Sequence, residues 1–252
     1  MRGCIAITDL TNIFKPSNNY IDETLKFNKI DMFLALLLVI IQWIIYWCLG
    51  RISVQKADSM TELFNFTITG ISSVIIVLTV MLFCKVRKQK ITSLGLNRTN
   101  AKKALRLGLV LSILWAILAY TVNSKSGLIV HREIRVETMI LRIIYIMFFI
   151  SFMEEITIRA YVGIRIYAFL KNNVLSVLST GFIWALLHIP YFAATKRIGI
   201  IEYMFSGSWN FLNYILLHMF FNFLYSKHNN IIGVTIVHFT LDFIPWLWVS
   251  RV

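Results

Sequence analysis

The chain predicts an all-α fold: a polytopic transmembrane helical bundle of about seven spans, or eight if residues 191–208 hold another. Three observations carry that expectation. Of 252 residues, 58% are hydrophobic and only 15% charged, where a soluble domain carries about 25% charged residues. The mean hydropathy is +0.72. The apolar residues fall into runs long enough to cross about 30 Å of hydrocarbon as helices. The charges, which sum to +13, cluster between these runs. That placement is the signature of loops that set topology, and with no aromatic-interleaved basic face it excludes nucleic acid as a partner.

Residues 1–30 form a polar amino-terminal segment in which Phe14, Tyr20 and Phe27 alternate with charges, a pattern compatible with an interfacial helix. Asp9, Asp22, Glu23 and Asp31 precede the first run, so no signal-peptide layout is present. The spans are expected at 32–49, 63–83, 107–122, 139–158 (continuing as helix towards 169), 175–189 (ended by Pro190), 209–225 and 231–249, with 191–208 as a mixed connector. Residues 31–137 then form an amino-terminal group of spans, and 138–252 a carboxyl-terminal region that carries the chemistry. Cys4, Cys48 and Cys84 have neither metal nor redox spacing and read as plain thiols.

Between the second and third spans lie Lys85, Arg87, Lys88, Lys90, Arg98, Lys102, Lys103 and Arg106, with no acid among them. The positive-inside rule puts this loop in the cytoplasm of a multi-pass cell-membrane protein. Alternation brings the loops carrying Lys171 and Lys227 to the same side. Arg165 and Lys171 read as loop charges.

The stretch Ser151-Phe-Met-Glu-Glu-Ile-Thr-Ile-Arg159 places Glu154, Glu155 and Arg159 inside an apolar run. Each charge costs roughly 3 kcal/mol at a bilayer centre on insertion scales, so the cluster needs a reason. Glu155 and Arg159, four apart on a helix, can pair. Glu154 lies about 100° round and has no partner within the stretch. Further polar positions are His188 in the fifth span, His218 and Asn222 in the sixth, and His238 and Asp242 in the seventh. Glu154 stands 17 residues before Lys171 and His188 stands 17 after it. At about 1.5 Å per residue, the two reach the same height on adjacent antiparallel helices and can share a water. A carboxylate in apolar surroundings is a strengthened base, a neighbouring imidazole can pass a proton to a leaving amine, and a second imidazole can stabilise charge on a carbonyl oxygen. His218 and Asn222 read as interhelical contacts or cavity lining.

Three patterns now stand in order: Glu154-Glu155-Ile-Thr-Ile-Arg159 as EExxxR, Trp184-Ala-Leu-Leu-His188 as FxxxH with Trp for Phe, and His238-Phe-Thr-Leu-Asp242 as HxxxN/D. Over about 138–250 the chain resembles the CPBP family of intramembrane endopeptidases, which includes the type II CAAX prenyl proteases and the bacterial Abi and bacteriocin-immunity proteins. The resemblance implies Glu154 and His188 as water-activating groups, and His238 with Asp242 on the oxyanion side. It also implies Glu155 and Arg159 as a supporting or substrate-orienting pair, chemistry without a cofactor, and a cavity open to the cytoplasm. Trp184 in place of Phe is expected to reshape the pocket. Asp242 stands where many relatives have Asn; it is either protonated and a donor, the preferred reading, or it orients His238.

The function expected is hydrolysis of a peptide bond in a peptide or membrane-associated protein substrate. A composition rich in Ile, Asn and Lys looks bacterial and favours a small precursor, pheromone, leader or bacteriocin over a prenylated protein. A zinc peptidase with Glu154, His188 and His238 as ligands is the alternative mechanism, although no H-E-x-x-H is present. The absence of G-x-S-x-G and G-x-G-D disfavours serine and aspartyl classes. A non-catalytic immunity or scaffold protein and an ion-coupled transporter are the readings from other classes; the lack of an internal repeat disfavours the transporter.

Overall fold

The structure, a computed structural model, describes residues 15–55, 62–126, 128–130, 135–206 and 208–250. Cys4 and the first part of the polar amino-terminal segment lie outside the described residues. Among the described residues, besides a single 3-10 turn at Ile91–Leu94, there are nine helices: α1 (Asn18–Thr24), α2 (Lys29–Gln55), α3 (Glu62–Val86), α4 (Ala101–Lys125), α5 (Val136–Leu170), α6 (Asn173–Lys196), α7 (Ile200–Ser206), α8 (Ser208–His228) and α9 (Ile231–Trp246). Helices α2 to α6 are each long and apolar enough to cross a bilayer, as a multi-pass membrane protein requires. Helix α8 has 21 residues and α9 has 16. Helix α7, inside the expected connector, has 7 residues, about 10 Å and too short to cross.

Two details depart from the expected pattern. Pro190 does not end its span: it lies inside α6, which continues to Lys196. A membrane helix tolerates proline because neighbouring groups and local adjustment satisfy the freed carbonyl. The chain is also not purely helical. Leu128–Val130 (β1) and Trp248–Ser250 (β2) pair antiparallel, Ile129 opposite Val249, and tie the end of α4 to the segment after α9. Alternation over three residues is too short a signal to separate from the apolar run beside it.

Helix α1 lies in the polar amino-terminal segment. Ser17 caps it, its side chain accepting from the Tyr20 amide, and Tyr20 is buried edge-on against Tyr167 and Tyr225. Arg87 and Gln89, beyond the end of α3, both donate to Asp31 in the first turn of α2. Arg165 is not a loop charge. It is 1% exposed, its guanidinium lies 3.6 Å from the Tyr161 ring centroid and 4.3 Å from that of Phe27, and it donates to the Tyr161 carbonyl and to Gln89. A planar guanidinium can stack and donate at once, which lets arginine be buried where lysine would not be. With Leu94, Ile158, Tyr161, Val162 and Ile164 all fully buried, this layer closes the end of the bundle that carries the basic loop.

Helix α4 shows how the sequence assigns faces. Leu109, Val110, Ile113, Leu114, Ile117 and Leu118 are exposed and suit lipid contact. Ala104, Gly108 and Ser112, four apart, are the buried stripe. That stripe meets α9 at Gly233, where the backbones touch. A Cβ on Gly108 would lie 2.6 Å from the Gly233 carbonyl oxygen, and one on Gly233 would clash with the Ala104 carbonyl oxygen. Small residues at four-residue spacing are the usual means of such close approach in membranes. The crossing matters for the site because α9 carries His238.

Gly108→Leu should therefore force α4 from α9 and destabilise the detergent-solubilised protein by about 1–3 kcal/mol. Thermal unfolding followed by size-exclusion chromatography checks this, and the lipid-facing change Ile113→Leu should be neutral in the same assay.

Candidate active site

Helix α5 is not a regular α-helix through its middle. Tyr145–Phe152 and Glu155–Gly163 are π-helical, and Met153 and Glu154 fall between them. Widened turns of this kind shift the facing of successive side chains and recur at functional sites. Here they send the two adjacent carboxylates to different partners.

Glu155 is fully buried. Its Oε1 lies 3.2 Å from Arg159 Nη1 and accepts from His238 Nδ1 at 2.7 Å. The opposite ring nitrogen, His238 Nε2, lies 3.3 Å from Asp242 Oδ2. Both nitrogens of His238 thus face a carboxylate, and Phe221 stacks on the ring at 4.8 Å. The side chain of Asp242 is 40% exposed, so this relay runs from a dry carboxylate to an open one. Of the two roles open to Asp242, this is the geometry that orienting His238 would require.

Glu154 takes a different partner. Its Oε2 accepts from the indole Nε1 of Trp184 at 2.7 Å. Its other oxygen has no protein hydrogen bond among the described residues. Trp184 does more than shape the pocket, since phenylalanine has no N–H to offer. One turn further along α6, His188 Nδ1 lies 2.8 Å from the Trp184 carbonyl oxygen. A carbonyl only accepts, so Nδ1 carries the hydrogen and Nε2 is the open position of the ring. Trp184 therefore holds Glu154 through its side chain and His188 through its backbone. The Arg159 guanidinium lies 4.2 Å from the Trp184 ring centroid, which joins the two halves of the site.

Glu154, His188, His238 and Asp242 all line one cavity of about 460 Å³, with Trp184 in its wall. Its other walls are largely aromatic, including Tyr46, Tyr145, Phe149, Tyr191, Tyr214 and Phe221. Tyr214 stacks on His188 at 3.8 Å, a contact the sequence did not single out. Its only signal was position, one turn before His218 on the same face of α8. His218 itself is fully buried but does not line the cavity, and neither ring nitrogen has a partner among the described residues. It packs against Gly181, where a Cβ would lie 3.2 Å from its ring. Among the described residues no three His, Cys, Asp or Glu side chains are grouped to hold a metal ion.

Residues 136–244 match the family model described as type II CAAX prenyl endopeptidase Rce1-like. No curated protein and no solved structure matches the chain. The matched segment runs from the first turn of α5 to the last turn of α9 and includes Glu154, Glu155, Arg159, Trp184, His188, His238 and Asp242. Residues 136–244 are a domain of the Rce1-like type II CAAX prenyl endopeptidase family.

Proposed function

We propose that the chain is an intramembrane endopeptidase that hydrolyses peptide bonds with a water activated between Glu154 and His188. The observation that carries this reading is the double hold of Trp184, which fixes one oxygen of Glu154 and one nitrogen of His188 on the wall of the same cavity. The second oxygen of Glu154 removes a proton as the water attacks the scissile carbonyl carbon. When the tetrahedral intermediate collapses, the C–N bond breaks and that proton passes through His188 Nε2 to the leaving amine. His238, flanked by Glu155 and Asp242, presents positive charge near the developing oxyanion. The aromatic walls suit an extended peptide with apolar side chains, and the favoured substrate is a small precursor, pheromone or bacteriocin-type peptide. His238 has both nitrogens committed to carboxylates, which speaks against a zinc site built from Glu154, His188 and His238. A bacteriocin-immunity role can coexist with this chemistry.

Glu154→Gln should keep expression and membrane insertion while lowering cleavage by about 10² to 10⁴. Mass spectrometry of peptides released by cells carrying wild type or the variant reads this directly, and equal release from both would end the proposal. Trp184→Phe should lower kcat/KM about 10- to 100-fold, the worth of a hydrogen bond to a charged group. An unchanged kcat/KM in Trp184→Phe would mean that the indole serves packing alone.

A further inference from the structure

The proposed reaction draws on α5, α6 and α9, but α2 also reaches the cavity, at Tyr46. One turn earlier on the same face stands Gln42, which is 1% exposed. A primary amide in an apolar helix is costly to bury unless its hydrogen bonds are made. Gln42 Nε2 donates to Tyr46 Oη at 2.9 Å and lies 3.9 Å from Met153 Sδ. A thioether sulfur only accepts, so the amide nitrogen, and not the amide oxygen, belongs on this side of Gln42. The phenol oxygen is thus the acceptor towards Gln42, and its own hydrogen is left to donate. Among the described residues no group accepts it.

The height of that hydroxyl follows from packing. Helices α2 and α6 run parallel, because both begin at the same charged layer. Gln89 joins Asp31, in the first turn of α2, to Arg165, which lies 5 residues before the end of α5 and 8 before the start of α6. Further along, the two backbones touch at Gly50. A Cβ there would lie 2.7 Å from the Tyr191 carbonyl oxygen and 2.7 Å from the Ala194 Cβ. Tyr46, one turn before Gly50, therefore stands level with the turn before Tyr191, which holds His188. Gln42, a turn earlier again, meets Met153, the residue before Glu154 on α5. Two independent contacts thus bring Tyr46 to the level of the carboxylate and the imidazole, on the wall of the cavity that all three line.

We propose that Tyr46 is a further catalytic residue, whose hydroxyl donates to the carbonyl oxygen of the scissile peptide bond, and that Gln42 is the positioning residue that turns the hydroxyl hydrogen into the cavity. This rests on the reading of Glu154 and His188 as the water-activating pair. No proton changes hands at Tyr46. As water adds to the carbonyl carbon, the electron pair of the C=O π bond moves to oxygen, and the phenol hydrogen bond strengthens with the charge it meets. It relaxes again when the pair returns and the C–N bond breaks. His238 presents its charge from α9, while Tyr46 adds a neutral donor from α2, and a neutral group is less costly than a second cation at membrane depth. Helix α2 lies outside the residues 136–244 that match the family model, so this donor comes from the first half of the chain.

The test compares purified wild type, Tyr46→Phe, Gln42→Met and the double variant on one peptide that wild type cleaves. It also measures binding of that peptide's phosphinic analogue, in which a phosphinate and a methylene replace the scissile carbonyl and amide nitrogen. Tyr46→Phe keeps the ring, and size-exclusion chromatography shows that it is folded. Its kcat should fall about 10- to 100-fold while KM stays within about twofold. The phosphinic analogue, which carries the oxyanion's charge, should bind more weakly by the factor lost in kcat/KM. Gln42→Met should lose about 3- to 10-fold in kcat and nothing further in the Tyr46→Phe background, because it acts through the hydroxyl. An unchanged kcat in Tyr46→Phe, or a rise in KM alone, overturns the proposal, as does a Gln42→Met loss that persists in full in the double variant. If Tyr46→Phe fails to accumulate, wild-type kinetics in Gln42→Met overturn it. Full activity in Glu154→Gln would instead strike the reading of the site on which the proposal rests.

Discussion

A carboxylate with no exposure to solvent, Glu155, holds this site together. Buried charge is tolerable only when its partners are in place, and removing one partner of such a pair typically costs about 3–5 kcal/mol. Glu155 has two, Arg159 on its own helix and His238 on α9. Through Arg159 it places a guanidinium against the face of Trp184, and Trp184 fixes Glu154 and His188. Through His238 it reaches Asp242 at the open end of the relay. Glu154 and His188 are thus oriented by a chain of contacts that starts at a residue outside the cavity lining. The glycine crossing of α4 and α9 keeps His238 close enough for that chain to close.

The sequence carried much of this and missed some of it for physical reasons. The spans were legible because hydrocarbon thickness demands long apolar runs, and α2 to α6 lie where those runs are. The Glu155–Arg159 pair was legible from four-residue spacing, and the shared cavity of Glu154 and His188 from counting residues about Lys171. The Glu155–His238 bond was not, because it joins residues 83 apart across helices whose rotation no local pattern sets. The role of Trp184 was hidden in the same way: its indole reads as aromatic bulk until the carboxylate opposite is located. Arg165 misled because a cation near a helix end is usually solvated, whereas here Tyr161, Phe27 and Gln89 surround it. Pro190 misled because the rule that proline ends a helix is written for water.

The two halves of the bundle divide their work. One is a packed, hydrogen-bonded layer in which Asp31, Arg87, Gln89 and Arg165 lock three long helices. The other holds a cavity walled by rings, with its polar groups confined to a few positions. Rigid packing beneath a cavity is what the proposed hydrolysis requires, since it holds a carboxylate and an imidazole at a fixed separation. The widened turns of α5 lie at the boundary and aim Glu154 at the cavity and Glu155 away from it.

The central claim is that carboxylate and imidazole activate water without a metal ion. The most direct measurement is the hydrolysis rate of purified protein on one cleaved peptide, before and after exhaustive treatment with EDTA and phenanthroline. The account predicts an unchanged rate and no response to added zinc. Loss of activity on chelation that zinc restores would contradict it.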